Sequence, residues 1–422
     1  MRKFIIAALL CSSLGSYGQQ VKIDGELRPR IIVSDGYKTV KLKDERTNSY
    51  ISQRSRLNLS FDKDKLSTYI SLQDVRQWGD DDLYNSGGIY GNTNAISLHQ
   101  AYFILKPHKF VNIKTGRQLF NYDDQRILGA RGWNDYQISY DAVLFQLDDT
   151  ANKLDVALSW NSNNTKDLLF PTTKFRVFDF IRYERKLNNF NFSTIGILTG
   201  NTPSDTSESL YFRGTYGAYI TYTIQNTSFQ LSGYYQSNLN NIGKSAEAYL
   251  YSANAKQFFL DKKLLTCIGF DYLSGHDETK SGLAYNGVNH KFDLLYGTTH
   301  GFYGYMDFYS IPTQGLQDAY LKTEYNFNKD FALQADYHYF LLAANKYHTK
   351  ISGKRLNLDL GQELDLTVKW KIMKEVNLQG GYSFYLTNST FEHVKKIYGK
   401  EYRFPQFMYV MVTVKPTFFS SK

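Results

Sequence analysis

The chain has 422 residues, a formal charge of +9 from 49 Lys and Arg against 40 Asp and Glu, and two cysteines. Tyr occurs 35 times and Phe 29 times against 7 Pro, and the mean hydropathy is negative. Such mild, dispersed basicity excludes a nucleic-acid arm, and with Cys267 the only cysteine after Cys11, an exported form has no internal disulfide to staple its fold.

The opening "MRKFIIAALLCSSLGSYGQQ" predicts a secretory signal over 1–18, with Arg2 and Lys3 before an apolar run and a small-residue cleavage site at Ser16-Tyr17-Gly18. Cys11 follows Leu10, where an acylated cysteine needs a small residue, so no lipid anchor is expected. Residues 19–422 show no linker, repeat or composition break and read as one domain. No apolar run beyond the signal approaches the roughly 18 residues a membrane helix needs. An aromatic-rich, strand-like chain that is polar on average fits an outer-membrane β-barrel, with a secreted soluble β-protein as the alternative.

Period-two alternation then marks the strands. In "RSRLNLSF" (54–61) Leu57, Leu59 and Phe61 oppose Arg54, Arg56, Asn58 and Ser60. "FALQADYHY" (331–339), "ELDLTVKW" (363–370) and "VNLQGGYSFY" (376–385) alternate in the same way. Each is a strand with one apolar and one polar face. A sandwich buries that apolar face, whereas a barrel turns it to lipid.

The connections separate the two. Short polar turns fall at 62–65, 107–109, 148–152, 187–189, 225–227, 261–263, 326–330 and 371–375. Longer connections lie between them at 34–50, 77–96, 120–139, 161–173, 199–212, 237–245, 273–316, 341–360 and 387–404. This regular sorting predicts an all-β fold: a single antiparallel transmembrane β-barrel of about 18 strands, from near Val21 to Val414. Its short turns would be periplasmic and its long loops extracellular. The segment "HGFYGYMDFYS" (300–310) also alternates, but counting it as a strand puts the last strand on the wrong side. It is therefore assigned to the 273–316 loop, folding toward the barrel mouth.

Catalytic signatures are missing. Gly243-Lys244-Ser245 lacks the upstream glycine of a phosphate loop, since Asn238 stands there, and no HExxH or G-x-S-x-G occurs. No catalytic residue, metal ligand or cofactor is expected. A secreted polysaccharide-cleaving enzyme with two distant carboxylates stays as an alternative, because spacing does not exclude one.

The arginines carry the functional expectation. Arg54 and Arg56 lie on the polar face of the second strand, Arg76 closes the third, and Arg117 ends the fifth. Arg126 and Arg131 follow in "TGRQLFNYDDQRILGARGW" (115–133). All fall toward the long-loop side of one quarter of the barrel. Inward guanidinium groups there give a pore anion selectivity, with Asp123, Asp124 and Asp141 holding them extended. The same residues also fit ordinary salt bridging within a loop.

The stretch "SLHQAYFILKPHKFVNIKTGRQLFNYDDQRILGARGWNDYQISYDAVLF" (97–145) resembles the alginate-export family of outer-membrane porins. Gly116, Arg117, Gln118, Tyr122, Asp124, Arg126, Gly129, Trp133, Asp141 and Val143 stand at the family's matching positions. "HKFDLLYGTTHGFYGYMD" (290–307) and "LGQELDLTVKW…NLQGGYSF" (360–384) look like its later blocks. The resemblance implies a monomeric eighteen-stranded barrel in the outer membrane of a Gram-negative bacterium. Its arginine-lined pore would pass an acidic, alginate-like polysaccharide or oligosaccharide, without enzymatic activity and in contact with outer-membrane lipid. An export role also brings in periplasmic partner proteins. A general diffusion porin without polymer preference is the other channel reading.

Overall fold

The computed structural model describes residues 19–79, 83–84, 90–91, 96–162, 175–204, 206–238, 245–309 and 311–421. The expected signal segment 1–18, Gly243 and Lys244 lie outside them, as do parts of the 77–96, 161–173 and 237–245 loops. The wall consists of eighteen antiparallel strands, each paired with its neighbours in sequence. They are β1 (Gln20–Ser34), β2 (Asn48–Lys63), β3 (Leu66–Gln77), β4 (Ser97–His108), β5 (Val111–Gln118) and β6 (Tyr140–Asp148). Then follow β7 (Asn152–Leu158), β8 (Val177–Leu187), β9 (Phe190–Asn201), β10 (Tyr211–Ile224), β11 (Thr227–Asn238) and β12 (Ser245–Phe259). The last third comprises β13 (Leu264–Leu273), β14 (Leu316–Asn326), β15 (Phe331–Leu341), β16 (Asp359–Met373), β17 (Val376–Leu386) and β18 (Gln406–Val414). Pairing of β1 with β18, continued by Thr417–Ser420, closes the sheet and leaves no edge.

The short connections all lie on one rim. Several turn through left-handed residues, Asp64 (φ 38°), Asn188 (φ 47°) and Gln225 (φ 51°), which twist tightly enough to reverse adjacent strands. The opposite rim carries the long loops. The barrel is therefore built as the loop lengths predict, and 300–309 lies in the loop between β13 and β14.

Alternation sorts the wall into two faces. Leu57, Leu59, Leu231, Ile268, Leu366 and Trp370 are exposed on the outside, while Ser71, Gln236, Ser252 and Thr367 are buried inside. A closed wall that is apolar outward and polar inward satisfies every backbone group within hydrocarbon, so the fold spans a membrane.

The buried apolar core lies inside the upper barrel, between wall and loops. Phe120, from the 119–139 loop, packs edge-on against Phe180 at 4.9 Å and beside Tyr140 at 4.7 Å. Phe178 meets Tyr296, from the 274–315 loop, edge to face at 5.0 Å. Edge-to-face pairs of this kind contribute about 0.5–1.5 kcal/mol each beyond burial. These rings fix both loops to β6 and β8, so the loops fold down into the lumen.

Candidate solute path through the barrel

The inward row of β1 reads Glu26, Arg28, Arg30, and that of β2 reads Arg54, Arg56; register sets Arg28 beside Arg54 and Glu26 beside Arg56. Four guanidinium groups thus stand together, from Arg30 in the long-loop half of β1 to Arg56 at the middle of β2. Glu26 accepts from Arg54 Nε at 2.6 Å, and Arg56 donates to Gln73 Oε1 on β3 at 2.9 Å. Across the row lies the end of the 119–139 loop. Arg28 and Arg30 share the carboxylate of Asp135, at 2.5 and 2.8 Å. The carbonyl oxygens of Gly132 and Trp133 accept from Arg28 and Arg30, and Arg56 reaches Gln137 Oε1 at 2.7 Å.

The same loop is pinned at its other end. Arg126, 1 % exposed, donates to Asp124 at 3.1 Å, to Asp271 on β13 at 2.5 Å and to the Tyr303 hydroxyl at 3.0 Å. Its guanidinium also lies 4.1 Å over the Phe302 ring. Asp123 accepts from Arg182 on β8 at 2.6 Å and from Ser193 on β9 at 2.7 Å. Removing one partner from such a buried pair costs about 3–5 kcal/mol, because the other charge is stranded. The two lumen loops join each other where Arg131 donates to the carbonyls of Gly297 and Leu295, at 3.0 and 3.1 Å. They form one inserted body.

Further round the wall from β1, beyond β18 and β17, β16 to β13 carry a buried acidic arc of Asp271, Asp318, Asp336, Glu363 and Asp365. His338 bonds to Asp318 at 2.9 Å, and the backbone N–H groups of Tyr305 and Met306 donate to Asp365 and Glu363. Charge is therefore unevenly distributed around the inner wall, with the arginine row on β1–β2 and the carboxylates on β13–β16, two strands away.

Above the arginine row opens a cavity of about 720 Å³. Arg30, Lys38, Arg131 and Lys395 line it, with Trp133, His300 and Tyr309 among its aromatic walls. Trp133 and His300 stack at 4.0 Å, and Arg30 lies 4.1 Å over Trp133. Lys395 follows the short helix α1 (Ser389–Val394), started by Asn388, whose side chain accepts from Phe391 N. Its ammonium donates to the Phe308 carbonyl and lies 4.9 Å over the Phe308 ring. Burial pushes the Lys395 pKa down to about 8, partly opposed by Glu363.

The structure separates the expected pore residues. Arg54, Arg56, Asp124, Arg126 and Arg131 all lie inside the barrel, on its inner wall or in the inserted loops. Arg76, Arg117 and Asp141 do not. On β3 the odd positions Ser71 and Gln73 face inward, so Arg76 faces outward, where it bonds Asp74 at 2.6 Å. On β5 and β6, Gln118, Tyr140 and Ala142 face inward, so Arg117 and Asp141 form an outward pair at 2.7 Å. Charges on the lipid face cost about 0–1 kcal/mol near the interface, against 2–4 at the midplane, which explains their place at strand ends. Arg28, Arg30 and Asp135, the tightest part of the row, were outside the expectation. Their signal was present, since Leu27 and Ile31 alternate with Arg28 and Arg30.

This geometry defines a membrane-spanning barrel of the outer-membrane porin type with two loops inserted in its lumen. No known family profile matches the chain, and no curated protein is similar to it in sequence. Solved structures do match. OpdL of Pseudomonas aeruginosa superposes with a TM-score of 0.63 at 10% identity, over 94% of this chain and 99% of that one. OccAB4 of Acinetobacter baumannii gives 0.59 at 10% identity over 96% and 99%, and the Pseudomonas aeruginosa outer-membrane protein opdK 0.59 at 10% over 94% and 99%. The likeness is to outer-membrane porin barrels along almost their whole length. It extends to the fold and does not single out the alginate-export family.

Proposed function

We propose that the protein is a passive, anion-preferring channel of the Gram-negative outer membrane for acidic sugars and short uronate oligomers of the alginate type. The observation that carries this reading is the mouth cavity, where four cations, Arg30, Lys38, Arg131 and Lys395, outnumber the two carboxylates, Asp135 and Asp307. Cations pair with the carboxylates of sugar acids. A cavity of about 720 Å³ suits one or two pyranose rings, so short oligouronates are favoured over a long polymer. The inserted loops support the same ordering, since they occupy much of the upper lumen. We read the chain as a non-catalytic monomer that contacts lipid; its periplasmic partners and the direction of flux belong to the same proposal.

The test is single-channel recording of refolded protein in a planar bilayer, titrating oligouronates against neutral oligosaccharides of equal length. Block by uronates alone is the expected outcome. Equal indifference to both would reduce the function to general diffusion. Unsaturated or reducing ends released from alginate would instead favour the enzyme.

A further inference from the structure

Building on the channel reading, we infer that Arg28 and Arg30 form the carboxylate-binding site of the path, and that Asp135 is a tethered carboxylate competing with solute for it. One carboxylate bridges both guanidinium groups, Oδ1 to Arg28 at 2.5 Å and Oδ2 to Arg30 at 2.8 Å. That is the geometry with which two arginines hold a sugar acid, one oxygen on each. Both arginines are 5% exposed, and the Nε of each is buried without a hydrogen-bond partner among the described residues. Asp135 thus leaves donor capacity of the pair unused. A solute carboxylate with a neighbouring hydroxyl has the acceptors to take it up.

The site is reachable. Arg30 and Asp135 both line the mouth cavity, so a solute admitted there meets Arg30 and its aspartate first, with Arg28 behind them. The segment that delivers Asp135 is bracketed by two non-glycine residues in the left-handed region, Arg131 at φ 48° and Gln137 at φ 61°. Such residues are uncommon and mark a backbone held in place by its surroundings. Here those surroundings are the arginine row itself, which also binds the segment's carbonyl oxygens. Asp135 therefore sets the apparent affinity: solute sees only the fraction of pairs from which the aspartate has swung away. It also raises the threshold for weak anions and offsets one of the two buried positive charges when no solute is present.

The experiment compares wild type with Asp135→Asn in a planar bilayer, using glucuronate and glucose as probes. With the competing charge removed, the half-blocking glucuronate concentration should fall by about tenfold, as when a competent fraction near one tenth becomes nearly complete. Glucose should be without effect on either protein. Asp135→Glu, which keeps the carboxylate, should restore a value near wild type. An unchanged half-blocking concentration in Asp135→Asn, with wild type still blocked, overturns the competition and leaves the channel reading standing. Indifference of wild type to glucuronate sinks the channel reading itself. Should Asp135→Asn lose its heat-modifiable gel migration, Arg30→Gln is measured instead. The inference requires it to weaken glucuronate block by about tenfold, and unaltered block overturns it.

Discussion

Arg56 and Arg117 carry the same charge on nearby strands, yet one enters the lumen and the other the outer surface. Parity alone decides this: a shift of one position moves a side chain from one face of the wall to the other. Arg56→Gln should lower anion over cation selectivity, read as a reversal-potential shift in a salt gradient of about half the wild-type value or more. Arg117→Gln should leave that potential unchanged, since its guanidinium faces away from the permeating ion. Lys395 offers a pH reading of the cavity. Its pKa, lowered by burial to about 8, means that the ammonium is charged at pH 7 and largely neutral at pH 9. Uronate block should therefore weaken about twofold to tenfold across that range, and Lys395→Gln should flatten the change. The same shift acts on stability in the opposite sense. Because the folded pKa lies below the ordinary 10.5, stability rises with pH between about 8 and 10.5. At this scale the sequence was legible where alternation was strict, as at Arg54 and Arg56. Arg28 and Arg30 carried the same alternation with Leu27 and Ile31, interrupted by Pro29 between them. The barrel tolerates Pro29 where the β1–β18 register passes from Leu27–Val414 to Arg30–Met411.

The elements were the most legible part, because strand existence follows from alternation and strand number from the sorting of loop lengths. The two inserted loops mark the boundary of that reading. Their direction depends on tertiary contacts such as Arg126 with Asp271, Asp123 with Arg182 and Phe120 with Phe180, which join positions far apart in sequence. No local pattern encodes them. The alternation of 300–310 was a helix-free, strand-like signal, and the structure spends it on packing: Tyr303, Met306, Phe308 and Tyr309 are all buried. Replacing 299–309 by a short Gly-Ser linker should raise single-channel conductance by roughly twofold or more, since an eighteen-stranded wall alone encloses an aqueous channel. Heat-modifiable migration should persist, because the wall strands pair with one another and not with this loop.

For the whole molecule, the distribution of chemistry is inverted relative to a water-soluble domain. Apolar side chains face out around the wall, polar side chains face in, and among the described residues the thick apolar core forms where loops return to the inner surface. The nearness of the arginine row on β1–β2 to the acidic arc on β13–β16 then belongs to the assembled wall, since the two become neighbours only when β18 joins β1. Closure itself joins the two ends of the chain. Val21 N donates to Ser421 Oγ at 2.7 Å, Ser421 N returns to Val21 O at 2.9 Å, and the Phe418 ring lies so near Gly25 that a β-carbon there would stand 2.8 Å from it. Every other strand finds its partner a turn or a loop away, but this seam spans nearly the entire polypeptide and is the last to become available. Loop-closure entropy makes it the slowest pairing to search for unaided. Until it forms, two open edges and a lipid-seeking exterior face water together. The first strand must therefore wait, shielded, for the last, and the time spent waiting is when this chain is most exposed to aggregation and proteolysis.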